Sequence, residues 1–324
     1  MQDIIVKDLT KIYTTHKRDA GFLPAVKALF KREKVTVRAV DGISFTICAG
    51  EIVGLLGRNG AGKSTTIKML TGVLTPTSGL IDAFGYDPAK QRTRYTARIG
   101  AVFGQKSQLI WDIPPLDAFH MNKAIYGIPK ENFKATLERL VELLDAGEII
   151  TRPTRSLSLG ERMKCEFIMA MLHNPQVVFL DEPTIGLDII ARESIREFIR
   201  AMNRGGTTFI LTTHDLADIE ELAQRVMIID KGKLVYEDTL DSLRHHLGSQ
   251  KTVNLTASAP LTEDMFAADG VAVSRCDDTL RLTVDTGIMP MNRFLSWVSE
   301  RCDITDLSIT EMPIEEIVKT IYEG

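Results

Sequence analysis

Near the start of the chain, apolar and polar side chains alternate in two runs. These are Ile4–Leu9 and Arg38–Cys48, the second with Ile43, Phe45 and Ile47 at every other position. An extended chain turns successive side chains to opposite faces, so this spacing predicts two half-buried strands. Between them Thr14–Val37 breaks the pattern and reads as an insertion. Within it, Ala25-Val26 and Leu29-Phe30 have the spacing of a short amphipathic helix, ringed by Lys27, Lys31, Arg32 and Lys34. Ile52–Leu56 is a buried-type strand, followed by a glycine-rich turn and a predicted helix from about Lys63 to Leu70. Leu116–Asp145 is mostly helical in spacing. Val177–Leu180 and Thr208–Thr212 are further apolar strands flanked by helix-like segments. Strands alternating with helices predict an α/β domain around a largely parallel sheet.

After Gly232 the pattern changes. Strand-like Thr252–Leu255, helix-like Leu261–Ala268, strands Val271–Ser274 and Leu280–Val284, helix Met291–Arg301 and strand Ile304–Ile309 follow in order. That βαββαβ order is the ferredoxin-like arrangement, here closed by a terminal helix, Ile314–Tyr322. Two units are therefore expected, an α/β domain over 1–239 and a small α+β domain over 240–324, in keeping with a length of 324 residues.

Composition narrows the picture. Apolar residues make up 44% and charged residues 25%, enough for a packed core and too ordinary for wholesale disorder. The longest unbroken apolar stretch, Phe167–Leu172, falls far short of the roughly 20 residues that cross a bilayer. Met1-Gln2-Asp3-Ile4 lacks the basic-then-apolar layout of a signal peptide. The four cysteines, Cys48, Cys165, Cys276 and Cys302, have no metal-type spacing and fit a reducing compartment. A soluble, cytosolic chain is expected. The net charge of −4 argues against nucleic acid as the main partner, but it hides an asymmetry. Lys17–Arg38 carries a local +5, whereas Leu240–Gly324 carries −7.

The chemistry begins at Gly57-Arg58-Asn59-Gly60-Ala61-Gly62-Lys63-Ser64, directly after a predicted strand and at the start of a predicted helix. This is the G-x-x-x-x-G-K-[ST] phosphate loop in the context it requires. Glycines let successive N–H groups curl around a dense anion, and the helix N-terminus adds a favourable dipole. Lys63 can reach the β- and γ-phosphates, Ser64 can offer its hydroxyl to Mg²⁺, and Thr65 lies in the same turn. A second signal is Val177-Val178-Phe179-Leu180-Asp181-Glu182, a buried strand ending in two acids. Asp181 can help position Mg²⁺ and Glu182 can polarise an attacking water.

With these two motifs in place, the chain resembles the ATP-binding subunit of an ABC transporter, from its N-terminus to about residue 240. The resemblance implies a P-loop NTPase cassette with a RecA-like core and a helical subdomain over about 106–175. It also implies roles for further residues. Gln105 matches the Q-loop glutamine that senses Mg²⁺ and the γ-phosphate, and Asp188 matches the D-loop aspartate. His214 matches the switch histidine at the γ-phosphate, and Tyr13 the aromatic that stacks on adenine. Leu157-Ser158-Leu159-Gly160-Glu161 occupies the signature position. The usual signature is Leu-Ser-Gly-Gly-Gln, so Leu159 and Glu161 depart from it while Ser158 and Gly160 are retained. Ser158 also fits a helix N-cap with Glu161 three residues on, and both readings can hold together. An aromatic such as Tyr13 equally fits ordinary packing.

In that family the signature contacts ATP held by a second subunit. One set of motifs therefore implies that the partner cassette is a second copy of this chain. The implied ligands are ATP and Mg²⁺. The other implied partners are separate membrane permease subunits, met around Trp111–Phe119, which would place the chain peripherally at the cytoplasmic face of the inner membrane. The phrase Gly104–Asp112, the basic insertion, the acidic C-terminal unit and Pro313-Ile314-Glu315-Glu316-Ile317 resemble exporters of the ABC-2, daunorubicin-resistance type. The insertion reads either as a face for headgroups or the membrane subunit, or as a solvated loop. The C-terminal unit reads as a dimer brace, a regulator or an inert cap. An importer cassette is the alternative within transport. An ABC ATPase of DNA maintenance would need a long coiled coil between Ser64 and Leu157, where the interval is too short. A metabolite kinase would leave the signature-like segment and His214 unexplained.

Overall fold

The computed structural model describes residues 3–16, 34–104, 107–213, 215–246, 250–258, 262–276, 279–311 and 314–323. Gln105, His214 and most of the predicted insertion lie outside the described residues. The chain divides into two compact units, Met1–Glu237 and Asp238–Gly324.

In the first unit, β1 (Ile4–His16) and β2 (Lys34–Ile47) pair antiparallel over their whole length. They run well beyond the predicted runs: Tyr13 pairs with Val37 and His16 with Lys34. The ends of the expected insertion are thus a continuation of the ribbon. The apolar alternation stopped at Leu9 because the outer ribbon buries neither face, with Val35 and Val37 largely exposed. β3 (Ile52–Gly57) leads into α1 (Lys63–Leu70), as the glycine-rich turn predicts. β4 (Ser78–Ala83) joins β1 to complete a three-stranded antiparallel sheet, and a short α2 (Arg92–Thr96) precedes β5 (Ile99–Phe103).

The helical stretch after residue 115 is two helices, α3 (Pro115–Ile125) and α4 (Lys130–Leu143). Pro129 caps the second, and proline disfavours helical backbone in the residue before it, so the periodicity continues while the helix does not. Then come α5 (Leu159–Met171), β6 (Val177–Asp181), α6 (Ile189–Arg204), β7 (Thr208–Thr212), α7 (Leu216–Leu222), β8 (Arg225–Asp230) and β9 (Lys233–Thr239). The main sheet runs β5-β6-β7-β3-β8-β9, with its first five strands paired in parallel. Parallel strands covered on both faces read as unbroken apolar runs, and β3, β6 and β7 do. One face, with Val53, Leu55, Val177, Phe179 and Ile210, shares a core with α1 and the antiparallel sheet. On the other side, Phe167 of α5 meets Phe198 of α6 edge-on at 5.7 Å.

The second unit opens with α8 (Leu240–His246). It then forms a four-stranded antiparallel sheet from β10 (Gln250–Ala257), β11 (Val271–Cys276), β12 (Thr279–Asp285) and β13 (Ile304–Glu311). Its order, β11-β12-β10-β13, places the first and third strands of the βαββαβ pattern at the centre, the ferredoxin-like arrangement. α9 (Met291–Ser299) supplies Phe294 and Val298 to its core. The predicted first helix is only a turn of 3-10 helix, Glu263–Phe266, which buries Phe266 in the core and packs Met265 against it. α10 (Ile314–Glu323) closes the chain.

Cys165 is fully buried and Cys48 is exposed. Burial pushes the Cys165 thiol up to about 12, with the Glu166 and Glu161 carboxylates adding to the effect. The thiolate is the nucleophile, so at pH 8 only about one Cys165 in ten thousand is reactive even before access is considered. Maleimide labelling of the native protein, read by peptide mapping, should modify Cys48 and spare Cys165 until the chain is unfolded.

Candidate functional site

The phosphate loop begins where β3 ends. Its turn is held by Ala61 N–H donating to the Arg58 carbonyl at 3.0 Å, and by Gly232 N–H donating to the Ala61 carbonyl at 2.8 Å. Gly62 caps α1 in a left-handed conformation with φ of 117°, which a side chain strongly disfavours. A Cβ there would also stand 2.4 Å from the Ala39 carbonyl oxygen, so the loop is pressed against β2. That contact locates Tyr13: its strand partner, Val37, lies two residues from Ala39, just beyond the place where ribbon and loop touch. Tyr13 is exposed, with the Lys11 ammonium 5.5 Å from its ring centroid.

Lys63 is folded back on its own loop. Its ammonium donates to the Gly57 carbonyl at 2.5 Å and to the Arg58 carbonyl at 3.3 Å. Burial lowers its pKa below the usual lysine value, while the carboxylates of Glu182 and Asp181 pull the other way. The cation therefore sits between a glycine-rich loop and two acids.

Asp181, the last residue of β6, joins several pieces. Its Oδ1 accepts from Ser64 Oγ at 3.3 Å and from Thr212 Oγ1 at 2.5 Å. Its carbonyl accepts from Gly104 N–H at 2.9 Å. Glu182 follows with φ of 55°, a conformation that is sparsely populated outside glycine and recurs at active sites. Gly104 is tied to this turn, since a Cβ there would meet the Glu182 carbonyl oxygen at 2.3 Å. A cavity of about 400 Å³ opens between these elements, lined by Ser64, Lys68, Val73, Phe103, Gly104, Asp181 and Glu182.

The oxygens of Ser64 and Asp181 suit Mg²⁺, which binds hard oxygen donors and takes few from protein when phosphates supply the others. Among the described residues, no cluster of three or more His, Cys, Asp or Glu side chains could cage a metal by itself.

The signature segment stands elsewhere. Ser158 caps α5 through a complete capping box: Glu161 N–H donates to Ser158 Oγ at 3.3 Å, and Ser158 N–H donates to Glu161 Oε2 at 2.7 Å. Glu161 also pairs with Arg152 at 3.1 Å. These hydrogen bonds, the Ser158 backbone bond first, hold its carboxyl below the usual range. Asp188 is likewise an N-cap, of α6, accepting from Ala191 N–H at 2.8 Å. The two helix starts are adjacent, since a Cβ on Gly160 would lie 2.8 Å from the Ala191 Cβ. Ser158, Gly160 and Asp188 do not line the cavity beside Ser64.

Three features had no forecast in the sequence reading. Thr212 holds Asp181 as described. Glu166 is buried in α5 and accepts from the Ser107 hydroxyl and from Gln108 N–H at 2.9 Å, so α5 grips the chain two residues after Gln105. Burial raises its pKa, against those hydrogen bonds. Asp218 is also fully buried, beneath the turn that follows Glu182. A charge on the apolar face of a short helix, beside Ile219 and Leu222, was the available signal for it.

An ABC transporter family profile matches residues 40–185. The ABC transporter ATP-binding protein NatA of Bacillus subtilis is 34% identical over 66% of this chain and 87% of its own length. The daunorubicin/doxorubicin resistance ATP-binding protein DrrA of Streptomyces peucetius is 30% identical, over 86% of each chain. A solved ATP-binding subunit of an ABC transporter superposes with a TM-score of 0.63 at 25% identity, covering 76% of this chain and 94% of that one.

Replacing Lys63 with Ala removes the ammonium that bonds to the Gly57 and Arg58 carbonyls of this loop. It should weaken nucleoside triphosphate binding by at least about ten-fold, since a charge-assisted phosphate contact is worth roughly 1.5–3 kcal/mol. Titration with a fluorescent ATP analogue measures it, with thermal unfolding as the control for folding.

Proposed function

This chain belongs to the ATP-binding subunits of ABC transporters, and we propose that it hydrolyses ATP as the motor of an ABC-2-type exporter, working as a head-to-tail pair of identical cassettes on separate membrane subunits. The observation that carries the hydrolytic part is the cavity in which Ser64, Asp181 and Glu182 converge beside the Lys63 loop. The relationship to a daunorubicin/doxorubicin resistance protein extends past the cassette into the C-terminal unit, and that supports export.

The mechanism follows from charge. An arriving triphosphate offers Lys63 better acceptors than the Gly57 and Arg58 carbonyls, so the ammonium turns from its own loop to the β- and γ-phosphates. The N–H groups of Arg58–Ser64, with Thr65 behind them, cradle the phosphates at the α1 N-terminus, and Tyr13 covers the adenine. Ser64 and Asp181 would hold Mg²⁺, assisted by Gln105, and the ion would supply charge to offset the phosphates. Glu182 accepts a proton from the attacking water, its carboxylate aimed by the strained turn. His214 donates to the γ-phosphate. Ser158 and Gly160 of one copy, with Asp188 nearby, meet the ATP held by the other, which is why they stand apart from their own cavity. Glu161 replaces the family's usual glutamine while presenting Ser158 through the capping box, and Arg152 offsets its charge.

For the membrane subunit, the reading rests on exposed apolar side chains. Within the expected segment Trp111–Phe119, Trp111 is exposed while Ala118 and Phe119 are buried, and the exposed apolar side chains continue outside it at Ile110 and, on α3, at Met121 and Ile125. Exposed apolar side chains mark partner surfaces when they share one face, as Met121 and Ile125, one turn apart on α3, do. No helix among the described residues is long and apolar enough to cross a membrane.

Two experiments test the proposal. Glu182→Gln should lower ATP turnover by about 10²–10³-fold while leaving ATP binding intact, and should accumulate an ATP-bound dimer seen by size-exclusion chromatography. Unchanged turnover would sink the assignment. Trp111→Ala should retain ATP binding but lose co-purification with the co-expressed membrane subunit. Undiminished co-purification would move the docking surface elsewhere.

A further inference from the structure

Two arginines one turn apart on α6 face two aspartates on α7. Arg192 pairs with Asp215, the N-cap of α7. Arg196 places both Nε, at 2.8 Å, and Nη2, at 2.6 Å, on Oδ1 of Asp218. The other Asp218 oxygen, Oδ2, accepts from the Thr184 hydroxyl and more distantly from Thr213 Oγ1 at 3.5 Å. Side-chain exposure is 12% for Arg196 and 1% for Asp218, so this ion pair is removed from solvent. Burial alone would lower the Arg196 pKa, but the hydrogen bonds and charge of Asp218 outweigh it and push it up.

Buried ion pairs are a poor device for stability, because desolvation consumes most of the attraction and apolar residues of similar volume serve as well. What this pair does supply is direction. Thr184 lies two residues after Glu182, in the turn where Glu182 adopts its left-handed backbone. Thr213 and Asp215 stand on either side of His214 in the chain. Thr213 Oγ1 also accepts from Asp215 N–H at 3.0 Å, which fastens this stretch to the same centre. One buried carboxylate thus joins the segment after Glu182 to the segment around His214, and Arg196 anchors it to the helix that begins at Asp188.

We propose that Asp218 is a positioning residue for ATP hydrolysis, holding the Glu182 turn through Thr184 while Arg196 fixes the carboxylate in place. The inference rests on the assignment of Glu182 to hydrolysis. It requires that losing the link lowers the rate of the chemical step rather than the affinity for ATP. A misplacement of an ångström can cost two orders of magnitude in rate.

The test compares steady-state ATP hydrolysis, ATP affinity and melting temperature in the full-length protein. Asp218→Asn and Thr184→Val should each lower kcat by at least about ten-fold, well below their melting temperatures, with KM and ATP affinity within about two-fold. Combined, they should cost little more than the worse single change, because both break the same link. The paired replacement Arg196→Met with Asp218→Leu removes the stranded charge. It should restore the melting temperature toward wild type while kcat stays low. Recovery of kcat along with stability would overturn the proposal, since the role would then be structural. So would wild-type kcat in Thr184→Val, a change that leaves the ion pair in place and keeps the test decisive should the paired variant not fold. Glu182→Gln serves as the reference. If it abolishes turnover while Asp218→Asn and Thr184→Val do not, this inference alone fails. If Glu182→Gln turns over normally, the reading beneath it fails as well.

Discussion

The site depends on where Asp181 is held. Its carboxylate accepts from Ser64 on α1 and from Thr212 on β7, and its carbonyl accepts from Gly104 at the end of β5. Three elements distant in sequence are thereby pinned to the last residue of one buried strand. A strand covered on both faces has little freedom to shift, so the carboxylate inherits the rigidity of the sheet. The turn that follows must then reverse within one residue, and Glu182 carries that reversal in its backbone.

Most of this was legible in the sequence because the controlling features are local. Gly57–Ser64 after an apolar run specifies strand, loop and helix start by glycine and helix-terminus physics alone, and the structure has that order. The βαββαβ order of the C-terminal unit followed from alternation at Val253 and Leu255 and at Leu280, Leu282 and Val284, which fill its core. What escaped was set by tertiary contact. In the outer part of the β1–β2 ribbon Thr10–His16 lacks an apolar period, and Val35 and Val37 alternate without being buried. Buried Glu166 and Asp218 went unforecast, because their partners lie 58 residues away at Gln108 and 34 away at Thr184. Propensity and period cannot report a hydrogen bond across such separations.

The signature segment shows how a departure from a motif can be absorbed. Glutamate at position 161 introduces a negative charge beside Ser158 at the start of α5. The charge is engaged locally, by the Ser158 backbone and by Arg152, and it complements the positive end of α5. A capping box of this kind is worth about 1 kcal/mol to the helix, so the residue that departs from the family pattern also stabilises the N-terminus that presents Ser158.

The close approach of α5 and α6 has an evolutionary consequence. Gly160 and Ala191 already stand as near as their atoms allow, and Leu159 presses its Cδ2 to within 3.1 Å of where a Cβ on Gly186 would be. The first pair has no slack for an added methyl group, and at Gly186 the φ of 73° already disfavours a side chain. The two segments should therefore drift through sequence space in concert: a lineage that enlarges position 160 or 159 must reshape 191 or 186 in the same stroke. Any attempt to transplant a consensus signature into this chain alone would import half of a matched surface.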